Sequence, residues 1–207
     1  MQLPMPVAEL GALLMFSTAM AFTPGPNTTL SAALAANHGL RHAMRFVLAV
    51  PLGWGLLMLA CVMGLGALLQ AQPALRGALK WGGLAYMLWL AWALARSAPA
   101  GSDYKTSAAA RFDVGFAKGV ALQFVNIKAW MNALMISAGW IMVADPPWPR
   151  LALVLPLMMA FGLASNLSYA LLGAALRGWL AQGQRLQTFN RVLALVLLAT
   201  VVWMAAL

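Results

Sequence analysis

The chain is poor in acids. Glu9, Asp103, Asp113 and Asp145 are its only carboxylates, set against thirteen Lys and Arg in 207 residues. None of the four falls within the core of a predicted membrane span, so a carboxylate proton relay within a membrane is excluded, as is a carboxylate partner for a cationic substrate. Cysteine is confined to Cys61, which rules out an internal disulfide and a cysteine metal cluster. His38 and His42 lie together among arginines, where solvated side chains are expected. No nucleotide-binding loop and no nucleophile–base spacing suited to catalysis occurs. Neither a cofactor, a bound metal nor an enzymatic activity is expected.

What fills the chain instead is apolar: 63% of residues are hydrophobic and 8% are charged. With several long apolar segments, this composition predicts an all-α polytopic membrane protein, whose first partner is the lipid bilayer. A net charge of +9 would suggest nucleic acid for a soluble chain. Here the basic residues sit mostly in short connections between apolar segments, a pattern of membrane orientation, so nucleic acid is not expected. Residues 1–9 carry no basic stretch, and the first apolar segment reads as a retained span.

Six segments follow one another. The first runs from about Val7 to Phe22, breaks at Pro24-Gly25-Pro26, and resumes as Asn27 to Asn37. The second is Phe46 to Leu69, with Pro51 as a possible kink and Gly64-x-Gly66 as room for close helix approach. The third is Trp81 to Ala95. The fourth spans Val114 to Val143 and is interrupted by Gln123, Asn126 and Lys128. The fifth is Leu151 to Leu176, and the sixth is Val192 to Leu207. Sixteen residues rise only about 24 Å, so the sixth is expected to begin a turn earlier, near Leu186.

One composition shift, to Ser, Pro, Gly, Asp and Lys over about 96–112, marks a linker at mid-chain. The whole chain, 1–207, then reads as one transmembrane domain of two halves, about 1–95 and about 113–207. An offset of 102 residues sets Phe22 against Phe124 and the first break against Asn126–Lys128. Halves of three spans enter a membrane in opposite directions, which predicts two inverted three-helix repeats with helices 1 and 4 interrupted. Counting basic residues orients them. Arg41, Arg45, Arg96, Lys105, Arg111, Arg177, Arg185 and Arg191 fall in one set of loops, and Arg76, Lys80 and Arg150 in the other. The richer set belongs inside, so both termini are predicted outside.

The candidate site grows from the two breaks. Pro24 and Pro26 lack backbone donors and push their preceding residues out of helical geometry. Backbone groups freed there must be satisfied by protein or by a wet cavity. A half-helix restarting at Asn27, with Thr28 beside it, points its N–H groups and positive dipole end at the break, which suits a carboxylate. Lys128 should lie near mid-membrane, some ten residues and about 15 Å of rise past Lys118. An uncompensated ammonium there costs about 3 kcal/mol. The substrate-binding candidates are therefore Pro24, Gly25, Pro26, Asn27, Thr28, Gln123, Asn126, Lys128 and Asn166, although an asparagine placed like Asn166 more often makes a helix–helix hydrogen bond than a ligand contact. Lys128 is also the interior candidate for coupling to protons. A lone interior cation favours a zwitterion or an anion over a cationic substrate.

Phe22-Thr23-Pro24-Gly25-Pro26-Asn27, then His38-Gly39-Leu40-Arg41, resembles the LysE/RhtB superfamily of amino-acid exporters. The run Trp81 to Trp92 and Phe124-Val125-Asn126-Ile127-Lys128 carry the likeness through the rest of the chain. The latter departs from the commoner Asn-Pro-Lys, with Ile127 in place of proline, a variation similar to the cysteine/O-acetylserine branch. The homoserine and threonine branches are close neighbours. The resemblance implies efflux of a small neutral amino acid across a bacterial inner membrane by alternating access, driven by the proton motive force, and allows a homodimer. The rival readings are a cation or heavy-metal exporter on a related scaffold and a non-transporting membrane scaffold.

Overall fold

The computed structural model describes residues 3–97 and 114–206. Most of the expected 96–112 linker, with Asp103, Lys105, Arg111 and Asp113, lies outside the described residues.

Helix α1 (Val7–Phe22) ends because Thr23, held by the following proline, is extended at ψ 129°. Helix α2 (Pro26–His38) restarts with a proline at its first position, where no N–H is needed. Gly39 at φ 91° turns the chain into α3 (Leu40–Ala60), a conformation that favours glycine. Helix α3 continues past Pro51, which has no N–H to give to the preceding turn. An irregularity follows in a π-turn over Cys61–Leu65, where Gly64 leaves helical geometry at φ 111°. An added Cβ at Gly64 would touch nothing within 4 Å, so this glycine serves the backbone and not helix packing as expected.

After α4 (Gly66–Ala71), α5 (Pro73–Ala95) starts eight residues before the predicted third segment. The fourth segment is divided as predicted, into α6 (Phe116–Leu122) and α7 (Ile127–Ile136), and continues as a π-turn over Ser137–Ile141. Helices α8 (Trp148–Leu180) and α9 (Arg185–Ala206) complete the chain. Helix α9 begins at Arg185, the extra turn that span length demanded. Leu40–Ala71, Trp148–Leu180 and Arg185–Ala206 are each long and apolar enough to cross a membrane. The pair Val7–Phe22 and Pro26–His38, bent by 48°, meets the same measure together.

Helix α2 is the axis of the bundle. Its residues Thr28 to Ala36 are all buried, packed against α8, α3 and α9. Small side chains permit this: a Cβ built on Gly173 of α8 would stand 2.2 Å from the Ala32 carbonyl oxygen. Gly53 allows a similar approach of α3 to α6, at 2.7 Å from the Val120 carbonyl oxygen. By contrast α1 buries only Leu13 and Ser17. The two largest apolar clusters lie around Leu34, Phe46, Val50 and Leu197 and around Leu13, Trp54, Met58, Ile136 and Met158. Val50 from the first and Trp54 and Met158 from the second line one cavity beside the break between α1 and α2.

Candidate functional site

At the first break, the chain cannot supply donors to the end of α1. Pro24 and Pro26 have no N–H, and the Gly25 N–H turns to the Thr28 hydroxyl at 3.0 Å. Three carbonyls are instead reached by side chains from elsewhere. The Ser165 hydroxyl donates to the Ala21 carbonyl. The Tyr169 hydroxyl donates to Phe22 at 2.9 Å. The Lys128 ammonium donates to Thr23 at 2.7 Å. Ser165 and Tyr169 are four apart on α8, hence on one face. Lys128 thus places its charge at the negative end of the α1 dipole, where a cation is favoured. The Met20 carbonyl faces Pro24, four residues on, and so has no backbone donor in the helical register.

On the other side of the break, the Thr28 hydroxyl accepts from Gly25 N–H and donates to the Gly25 carbonyl at 3.1 Å. The first N–H of α2 with an intrahelical acceptor is that of Thr29, to Gly25 at 2.9 Å. The Asn27 and Thr28 amides precede it, at the positive end of the α2 dipole.

The second break forms without proline. Asn126 is extended at ψ 102°, and its side-chain oxygen accepts from the Lys128 N–H at 3.1 Å, capping α7. Trp130 closes the turn by donating its indole N–H to the Phe124 carbonyl at 2.9 Å. The two breaks are joined directly. Asn27 Nδ2 donates to Gln123 Oε1 at 2.8 Å, and Gln123 Nε2 donates back to Asn27 Oδ1 at 3.2 Å.

A cavity of about 80 Å³ opens between them. A single water needs about 10–15 Å³ on this measure, so the space takes a handful of waters or one small molecule. Of the residues singled out in the sequence, Gly25, Pro26, Asn27, Thr28, Asn126, Lys128 and Asn166 line it. Two expected residues stand back. Gln123 is fully buried and touches the site through Asn27, with its Nε2 also bonded to the Gly119 carbonyl at 3.1 Å. Pro24 is exposed and is not among the residues lining the cavity. Asn166 accepts from Ser31 at 3.0 Å across the α2–α8 contact, the helix–helix hydrogen bond anticipated for it, and also lines the cavity.

Sequence reading missed Ser165 as a support of the break. It also missed a second group of lining residues, Ser17, Trp54, Asn132 and Met158. The signal for Asn132 was available, because it follows Lys128 by one helical turn. His38 and His42 are half-buried with ring centres 4.9 Å apart, and so are less solvated than expected.

Apolar helices of membrane length, one of them a pair broken before Pro26 beside a small cavity, define a multi-pass membrane protein. A family model for the LysE type translocator matches residues 18–205. The chain belongs to this LysE type translocator family, and is a multi-pass inner-membrane transporter, not an enzyme. It is similar to the cysteine/O-acetylserine efflux protein of Klebsiella pneumoniae, 33% identical over 166 residues, covering 79% of this chain and 81% of that protein. It is similar also to the cysteine/O-acetylserine efflux proteins of Salmonella typhimurium and of Escherichia coli O6:K15:H31, 31% and 30% identical, covering 91% of this chain and 93% of each. No solved structure matches the chain closely enough to count.

Proposed function

We propose that the protein exports a small neutral amino acid of the cysteine/O-acetylserine or homoserine/threonine type from the cytoplasm. The observation that carries this reading is the charge pattern of the cavity. Among its lining residues Lys128 is the one charged side chain, set beside Gly25, Asn27 and Thr28 at a helix N-terminus. A substrate carboxylate binds at Lys128 and the Asn27 and Thr28 amides. The substrate ammonium takes the Met20 carbonyl and the Asn126 and Asn27 side-chain oxygens. The efflux relatives support the direction of transport.

Six spans arranged as two inverted three-helix repeats account for the geometry. The Glu9–Arg150 ion pair at 2.7 Å and the Lys80–Ala205 hydrogen bond at 3.1 Å gather one end of the bundle. The Asn37–Asn190 amide pair and Ser97 gather the other. Both termini lie outside on the arginine count. The amide pair between Asn27 and Gln123 makes the two breaks one unit about which the halves rock in alternating access. The proton motive force drives export, with Lys128 as the coupling group, and two chains associate as a homodimer.

Counterflow in proteoliposomes tests the reading, with labelled cysteine, O-acetylserine, homoserine and threonine. Accumulation of at least one of them is expected. Exchange of none of them, or of any other small neutral amino acid, overturns it.

A further inference from the structure

Helix α3 meets its surroundings along one narrow line. Arg41, Arg45, Leu48, Leu52 and Leu56 are its exposed residues, and all the others are buried or half-buried. At 100° per residue these five fall within about 80° of the helix circumference. Packed residues close the line on both sides. Phe46 and Ala49 meet Gly119 of α6, and Gly53 meets Val120 of the same helix. On the other flank Gly55 packs against Met159 of α8. The exposed line is therefore the floor of a slot a single side chain wide, with α6 and α8 as its walls.

The slot changes character along its length. Leu48, Leu52 and Leu56 are 48%, 41% and 45% exposed. From Arg45 to Leu56 the helix rises about 16 Å, close to half of the about 30 Å hydrocarbon core of a bilayer. That is the depth of one leaflet, which one acyl chain spans. At the head of the slot stand two guanidinium groups, one helical turn apart on the same face. Arg177 of α8 adds a third charge, its Nη1 3.0 Å from where a Cβ of Gly39 would stand.

Arg41 and Arg45 differ from their neighbours in being uncommitted. Arg96 lies 4.8 Å from the Trp92 ring centre, and Arg185 lies 4.7 Å from that of Trp179. The Arg41 and Arg45 side chains make no hydrogen bond, ion pair or ring contact with another described residue. The described carboxylates stand at the opposite end of the bundle: Glu9 paired with Arg150, and Asp145 just before α8. Planar, paired guanidinium groups match the oxygens of a phosphate, and the apolar slot beneath them matches a chain attached to it. Free phosphate would leave the slot empty, and a second copy seated face to face would set arginine against arginine.

We infer that the α3 slot binds one anionic phospholipid, its phosphate on Arg41 and Arg45 and one acyl chain along Leu48, Leu52 and Leu56. Val50 and Trp54 line the cavity from the opposite face of the same helix, so the lipid lies behind the cavity wall. The inference stands whichever solute the cavity takes.

Native mass spectrometry of the full-length protein tests it, in detergent with an equimolar mixture of dioleoylphosphatidylglycerol and dioleoylphosphatidylcholine. One phosphatidylglycerol per chain is expected to be retained in preference to phosphatidylcholine. An arginine near an anionic headgroup is worth about fivefold, so Arg41→Gln and Arg45→Gln are each expected to lower the ratio by about that factor. Leu52→Trp fills the slot and is expected to lower retention of both lipids. Arg191→Gln, at an exposed arginine of α9 outside the slot, is expected to leave the ratio unchanged. If Leu52→Trp does not fold, the arginine variants decide. Equal retention of the two lipids by the wild type overturns the site. So does a preference that survives both arginine substitutions, one that falls as far in Arg191→Gln, or full retention by folded Leu52→Trp. Disulfide cross-linking between Leu52→Cys chains in a Cys61→Ser background, in phosphatidylglycerol vesicles, would assign the slot to a second copy and overturn it too.

Discussion

The ammonium of Lys128 donates to the carbonyl of Thr23 at 2.7 Å, joining the start of α7 to the end of α1 across the cavity. A costly interior charge is thereby held by backbone dipoles and not by a carboxylate. That leaves the lysine able to add a carboxylate from a ligand without first breaking an ion pair. Lys128→Met keeps length and removes the charge. Hydrogen bonds to charged groups are worth about 1.5–3 kcal/mol, so substrate affinity is expected to fall about tenfold or more, read as the half-saturating concentration in counterflow. Undiminished affinity in Lys128→Met would remove the lysine from the site.

Gly25 sits against the same side chain. A Cβ built there lies 3.0 Å from Lys128 Cδ and 3.2 Å from Nζ. Backbone strain is not at issue, because φ is −171°, which any residue adopts. Gly25→Ala is expected to displace the ammonium and raise the half-saturating concentration, while thermal stability in detergent changes by less than about 1 kcal/mol. A large loss of stability with unchanged affinity would mean that the glycine serves packing.

The amides of Asn27 and Gln123 are bonded in both directions. Removing Gln123 takes both bonds from the Asn27 amide, and removing Asn27 strips Gln123 Oε1 of its donor while Nε2 keeps the Gly119 carbonyl, in a low-dielectric site. A double-mutant cycle of Asn27→Ala and Gln123→Ala, followed by thermal unfolding, is expected to give a coupling of about 0.5–1.5 kcal/mol. A coupling of zero would show that the two breaks are independent.

Two glycines of α8 offer a matched pair. Gly173→Ala drives a methyl group to 2.2 Å from the Ala32 carbonyl oxygen, and overpacking of this kind costs about 1–3 kcal/mol. Gly178→Ala meets nothing within 4 Å and gains helix propensity, so it is expected to be neutral or stabilising by up to about 1 kcal/mol. Equal melting temperatures for the two variants would contradict the close packing of α2 on α8.

Orientation can be read with thiol chemistry, since Cys61 is the only cysteine and Cys61→Ser leaves a clean background. In that background Asp145→Cys is expected to react with a membrane-impermeant maleimide on intact cells. Gln184→Cys is expected to react only after lysis. Both positions are exposed in the fold. The reverse pattern would place the termini inside.

How much of this could be read from the chain depends on the range of each interaction. The first break was legible because Pro24 and Pro26 lack an N–H in any context. The second was legible as Gln123, Asn126 and Lys128 in an apolar run, although Asn126 and not a proline ends the regular backbone there. What closes the breaks was not legible. Ser165 and Tyr169 look like ordinary polar residues of a long helix until folding brings them to Ala21 and Phe22. Gly64 was mistaken for a packing glycine, since an apolar run gives no sign of which glycines take positive φ. Arg76 and Lys80 suggested a loop, yet Pro73 already stands at the first position of α5.

The carbonyls at the end of α1 also constrain how the protein is made. Their partners are far along the chain: 144 residues separate Ala21 from Ser165, 147 separate Phe22 from Tyr169, and 105 separate Thr23 from Lys128. During synthesis the first span therefore enters the bilayer with bare oxygens that only later segments can cover. The break at the cavity is therefore closed only once α8 has been made and packed against it.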